Sequence, residues 1–159
     1  MRLDRSGIEL SIPHHGRMCL LDEVLEWDAH HIRCRSATHR AADHPLRSHG
    51  RLGIACGIEY AAQAMAVHGA LAGSEAADGT GAHAAGARSE AGFLASVRNV
   101  RLHVVRLDDI ESDLVCEAEL LAGDRGSALY DFAITSAELP LLSGRATVVF
   151  DADRRLQRL

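Results

Sequence analysis

Aromatic residues make up only 4% of this chain, and its acids and bases are intermixed to give a net charge of −5. Stacking on nucleic-acid bases needs aromatic platforms and a phosphate backbone needs a basic stripe, so the composition excludes an ordinary nucleic-acid binder. Nowhere is there a run of about 18 apolar residues, the length a membrane-spanning helix requires. The opening stretch, "MRLDRSGIELSIPHHG", lacks the continuous apolar segment of a secretory signal. The four cysteines, Cys19, Cys34, Cys56 and Cys116, are scattered and form no C-x-x-C pair. Reduced thiols in a cytoplasmic protein are therefore expected. Two catalytic signatures are also missing. No G-x-S-x-G elbow occurs, and "GTGAHAAG" resembles a G-x-G-x-x-G loop only superficially because no strand precedes it. Catalysis, if any, is expected to be acid–base rather than covalent.

What is present fits one domain. The 159 residues, 47% of them hydrophobic, can bury a real core, and neither internal repeats nor a second domain are visible, so residues 1–159 read as a single unit. "HIRCRSAT" alternates Ile32, Cys34 and Ser36 with Arg33 and Arg35, the period of a half-buried strand. "HRAADHPLRSHGRLG" carries Pro45, Gly50 and Gly53 and reads as a shaped loop. A helix follows from about Ile54 to Leu71, with small residues around most of its circumference, which suits a helix approached closely on several sides. The Ala/Gly-rich stretch at about 73–91 is expected to be a flexible loop. From Gly92 onward, "FLASVRNVRLHVV", "DLVCEAELLA", "ALYDFAITSA" and "GRATVVF" read as four strands, with "AGDRGS" a hairpin connection between the second and third. The order gives an α+β domain with an antiparallel sheet wrapped around one long helix.

Within that helix Glu59 and Gln63 stand four apart and share a face. A carboxylate in an apolar setting is costly unless paired or protonated, and a raised pKa is what a general acid or base near neutral pH needs. From spacing alone a solvated face, or an ion pair to Arg47 or Arg51, is the simpler reading, because most helix carboxylates do no chemistry. The ten histidines include His14/His15, His30/His31, the loop set His39, His44 and His49, and His68 in the helix. None falls in an H-E-x-x-H or cysteine-paired pattern, so no metal site is expected. His68 lies roughly opposite Glu59, where a hydrogen-bonded structural histidine is the simpler reading.

Three segments together resemble a known family. "IPHHGRMCLLDEVLEWD" is similar to the Pro-His entry of the β-hydroxyacyl-acyl carrier protein dehydratases. "GIEYAAQAMAVHGAL" resembles their central helix, and "GFLASVRNVRLHVVRLDD" resembles their return into the sheet. The similarity runs from about residue 8 to 150 in the same order. It implies a hotdog fold and reversible loss of water from a 3-hydroxyacyl thioester on acyl carrier protein, without a cofactor. Glu59 matches the family's helix acid, and Gln63 the glutamine that orients it. The N–H of Ile54 or a neighbour, with Gly53, matches the carbonyl contact at the helix N-terminus.

In the family the helix acid works with a histidine from the facing subunit, which belongs to a His-Phe-Pro-Gly pattern. Here the loop reads "HPLRSHGRLGIACGIE", with His44 fifteen positions before Glu59. A Pro-Leu-Arg loop is similar to the subgroup found in aryl polyene and related pathways. His44 and His14 are therefore both candidate partners of Glu59, with His39 and His49 as rivals. The resemblance further implies a dimer, with itself or with a related hotdog subunit, and an acidic carrier protein docking on local basic residues such as Arg47, Arg51, Arg98 or Arg101. Two other readings fit the same fold: an acyl thioesterase, and a non-catalytic acyl-binding subunit that partners an active dehydratase.

Overall fold

Alternation in the strand sequences sends Ile32, Cys34 and Ser36, then Leu114, Cys116 and Ala118, then Ala128, Tyr130, Phe132 and Ile134, to one side of a sheet. The computed structural model, which describes residues 2–78 and 92–150, closes these faces over a single long helix. In chain order the elements are β1 (Leu3–Asp4), α1 (Arg5–Ser11), β2 (Glu23–Trp27), β3 (His31–Ser36), α2 (Gly57–Asp78), β4 (Gly92–Leu102), β5 (Leu114–Gly123), β6 (Ser127–Ser136) and β7 (Leu139–Phe150). Short 3-10 turns at Gly16–Met18, Thr38–Arg40 and Ile54–Cys56 join them. All pairings are antiparallel in a seven-stranded sheet of order β1-β2-β3-β5-β6-β7-β4. This is the hotdog architecture, an α+β sheet around one helix, as the sequence predicts.

The helix seats closely because its inner face is small. Ala61, Ala64 and Val67 are fully buried, while Tyr60 and Met65 supply bulk. At Gly57 an added Cβ would meet Leu142 Cδ2 at 2.7 Å, so the first turn of α2 lies directly against the sheet. Each large apolar side chain buried this way contributes about 1.5–3 kcal/mol. No helix among the described residues is long and apolar enough to cross a membrane.

Three boundaries differ from the sequence reading. The N-terminal lead holds α1, capped by the Asp4 carboxylate accepting from the Gly7 N–H. It is a seven-residue helix, too short to show a clear period. Helix α2 continues to Asp78, because Gly73 costs only about 1 kcal/mol in a helix already nucleated and no proline follows it. Residues 73–78 are therefore helical, and the rest of the expected loop, 79–91, lies outside the described residues. Strand β7 starts at Leu139, earlier than "GRATVVF", through a two-residue turn in which Ala137 and Glu138 have φ of 48° and 66°. Positive φ at both positions is the hairpin geometry that matches strand twist, but the usual Asn-Gly signal is absent.

Candidate active site

The start of α2 is fixed from two sides. The Leu52 carbonyl accepts from the Leu107 N–H at 2.7 Å, and the Ile54 N–H donates to the Val105 carbonyl at 3.0 Å. The Leu52 N–H donates to Asp108 Oδ1 at 2.8 Å. Asp108 also takes a bidentate contact from Arg106, and that guanidinium holds its carboxyl well below the usual carboxylate range. Arg47 approaches the same carboxylate at 3.8 Å and donates to the Gly50 carbonyl. Segments 47–54 and 105–108 thus form one braced entry to the helix.

Glu59 lies in the first turn of α2. Its Oε1 accepts from Gln63 Nε2 at 3.1 Å, and His14 Nε2 lies 3.3 Å from the same oxygen. Gln63 is itself buried: its Oε1 accepts from the Leu20 N–H at 2.8 Å, and its Nε2 also donates to the Met18 carbonyl at 2.8 Å. The amide therefore has a fixed orientation, oxygen toward Leu20 and nitrogen toward Glu59. His14 Nδ1 is buried without a partner among the described residues. A lone pair there costs less than a bare N–H, which assigns the proton of a neutral ring to Nε2. The side chains of His14 and Glu59 are 32% and 36% exposed, so a ligand can reach the pair from outside.

Of the other expected residues, Gly53 is exposed and bounds the entry. The N–H of Ile54 is already used by Val105, which corrects its assignment as the carbonyl contact. The N–H groups at this end without an acceptor among the described residues belong to Gly53 and Ala55. His44 is buried and bonds Tyr60, not Glu59. His39 is fully buried and donates from Nε2 to the Ile110 carbonyl at 3.0 Å. Exposed His49 contacts Ser48. His68 is structural as expected: its Nε2 donates to the Asp28 carbonyl and its Nδ1 accepts from the Tyr130 hydroxyl, both at 2.9 Å. Burial pushes the imidazoles of His39, His44 and His68 below the ordinary histidine value.

A family model described as ApeP-like, ApeP dehydratase, matches residues 6–158. The chain belongs to the ApeP-like dehydratase family. The dehydratase heterocomplex ApeI:P from Xenorhabdus doucetiae contains a chain 23% identical to it, with 95% of each chain covered and a TM-score of 0.75. A hypothetical thioesterase from Streptococcus pneumoniae TIGR4, solved with coenzyme A, is 12% identical over 80% of this chain and 83% of its own, with a TM-score of 0.54. A mutant of the thioesterase SAV0944 from Staphylococcus aureus is 15% identical over 79% of this chain and 89% of its own, with a TM-score of 0.50. At these identities the likeness to solved structures is one of fold. No curated protein matches.

In this member of the ApeP-like dehydratase family two contributors escaped the sequence reading. Asp108 lies far from α2 in sequence, so no local pattern links it to the helix entry. Tyr60 directly follows Glu59 and reads as ordinary core, yet its hydroxyl ties α2 to His44 and Thr38. Arg47, 17% exposed and bonded inward, is part of the scaffold, whereas Arg51, Arg98 and Arg101 are exposed.

Proposed function

We propose that this chain removes water from a 3-hydroxyacyl thioester carried on an acyl carrier protein, giving the trans-2-enoyl thioester in fatty-acid-like or aryl polyene biosynthesis. The observation that carries the reading is the histidine–carboxylate pair, His14 beside Glu59, at the N-terminal turn of the central helix in a dehydratase family.

Dehydration needs a base for the proton on the carbon next to the thioester carbonyl. It also needs an acid to protonate the hydroxyl that leaves as water. A histidine and a carboxylate side by side can divide these two roles, and Gln63 fixes the carboxylate by its bond to Oε1. The thioester carbonyl gains electron density as the proton departs. The N–H groups of Gly53 and Ala55, at the positive end of α2, are the donors available to stabilise it.

Pairing with a related hotdog subunit is supported by the sheet edge. Strand β4 is bonded to β7 on one side and has no strand on the other among the described residues. It exposes Phe93, Leu94, Val100 and Leu102, and Val105 beyond it is 85% exposed. A long apolar edge of this kind is ordinarily covered. Exposed Arg51, at the α2 entry, offers a contact to an acidic carrier protein, and exposed Arg98 and Arg101 on β4 do so only where the partner leaves them open.

The test is mass spectrometry of a 3-hydroxyacyl carrier protein incubated with wild type and with Glu59→Gln in the native assembly. Loss of one water with wild type, abolished in the variant, supports the reading. Free acid instead would make the chain a thioesterase. Binding without either product would make it an acyl-binding subunit.

A further inference from the structure

His44 is the loop histidine that sequence spacing nominates for catalysis, and its surroundings assign it other work. Its Nδ1 accepts from the Leu46 backbone N–H at 3.1 Å, so Nδ1 carries no proton. A neutral ring then bears its proton on Nε2, which donates to the Tyr60 hydroxyl oxygen at 2.9 Å. Tyr60 in turn passes its O–H to Thr38 Oγ1 at 2.8 Å, and Thr38 donates to the Leu20 carbonyl at 2.8 Å. Ser36 donates to the same carbonyl at 2.6 Å. Each hydroxyl in the chain donates once, and the direction is set from the Leu46 end. Across the Leu20 residue the path continues: its N–H donates to Gln63 Oε1, and Gln63 Nε2 donates to Glu59.

Neither ring nitrogen of His44 is available for proton transfer. Taking a proton would put an N–H on Nδ1 directly facing the Leu46 N–H, donor against donor. Giving one from Nε2 would leave an imidazolate in a buried site. The ring also lies against Tyr60, centroids 6.0 Å apart and planes 24° from parallel.

We infer that His44 is a positioning residue, which through Tyr60 locks the loop 41–53 to the helix turn bearing Glu59, and that the histidine working with Glu59 is His14. The inference rests on the dehydratase reading above. What it adds is a division of labour: the loop histidine holds the helix entry, and the Pro-His turn supplies the histidine at Glu59.

The experiment has two arms. Nitrogen-15 NMR of the histidine rings in the full-length assembly should show His44 as the Nε2–H tautomer, bonded at both nitrogens. A His44 ring protonated at Nδ1, or exchanging freely with solvent, would overturn the inference. This arm needs no turnover, so it still decides the matter if the wild type dehydrates nothing and the functional reading alone falls.

The second arm uses kinetics. Glutamine can present an N–H at the His44 Nε2 position but cannot act as an acid or base. His44→Gln is therefore expected within about threefold of wild type, and His44→Leu and Tyr60→Phe about tenfold down, with the double variant no worse than either single. His14→Gln is expected to lose about a hundredfold or more, and one limb of the pH–rate profile, which His44→Gln keeps. Should His44→Gln fall as far as His14→Gln while Tyr60→Phe retains full rate, His44 is catalytic and the inference fails.

Discussion

Replacing Gln63 by methionine keeps the length and volume of the side chain but removes its amide. The apolar packing is retained, so the loss measures the polar clamp alone. Two backbone groups lose their partners: the buried Leu20 N–H, and the Met18 carbonyl beside an exposed side chain. An orphaned buried donor costs about 1–3 kcal/mol, and the half-solvated carbonyl a smaller amount, so roughly 2–3 kcal/mol is expected in total. For a domain of this size each kcal/mol moves the midpoint by about 2–4 °C, which makes a fall of roughly 5–10 °C. Thermal unfolding and urea titration should agree, with an unchanged m value showing that only stability has moved. The same variant frees the Glu59 carboxylate from its donor, so kcat/KM should fall about tenfold or more alongside stability. A loss under about 0.5 kcal/mol would mean that the Leu20 amide finds water or another acceptor, and the clamp would not be what orders Glu59.

Other outcomes follow from the same contacts. His39, His44 and His68 are held neutral by burial, with imidazole pKa below the unfolded value. Below about pH 6.5 the unfolded chain therefore binds protons that the folded chain does not, and stability should fall as pH drops through and below that value. Each such histidine contributes up to about 1.4 kcal/mol per pH unit, and His68→Gln should flatten a plot of unfolding free energy against pH by about one proton. The depressed carboxyls of Asp108, Asp113 and Asp131 act in a separate window, their stabilisation being lost only below about pH 4. Ala137→Asn combined with Glu138→Gly should raise stability by about 1 kcal/mol in urea titration, because both positions have positive φ. On the proposed pairing through the open β4 edge, where both side chains stand exposed, Val100→Lys with Leu102→Lys should abolish association in analytical ultracentrifugation while far-UV circular dichroism stays unchanged.

Periodicity and small-residue content were enough to read the strands, the central helix and the helix-in-sheet architecture. Those patterns record burial, and burial is local to each element: "HIRCRS" alternates because one face of β3 is covered, whatever covers it. Glu59 and Gln63 were legible as a pair for the same reason, since four residues on a helix share a face. Element ends were not. The N-terminal helix α1 is a single short stretch, and α2 runs on through residues whose composition reads as loop. The β6–β7 turn takes its backbone from the strands it joins, at Ala137 and Glu138, where no turn residue announces it.

Which histidine stands beside Glu59 was decided only in three dimensions. His14 is forty-five residues away in sequence and His44 fifteen, so proximity along the chain favours the wrong neighbour. The chain path from α1 through Met18 and Leu20 carries His14 onto the Glu59 face of α2, while the Leu46 amide and Tyr60 hydroxyl hold His44 on another. The N–H inventory at the helix entry likewise depends on residues 105–108, which cross to it from the far side of the domain and take the Ile54 N–H out of play. Burial patterns are written locally and survive in the sequence. Hydrogen-bond partners are assigned by the fold, because a donor bonds whichever acceptor the tertiary structure brings within reach.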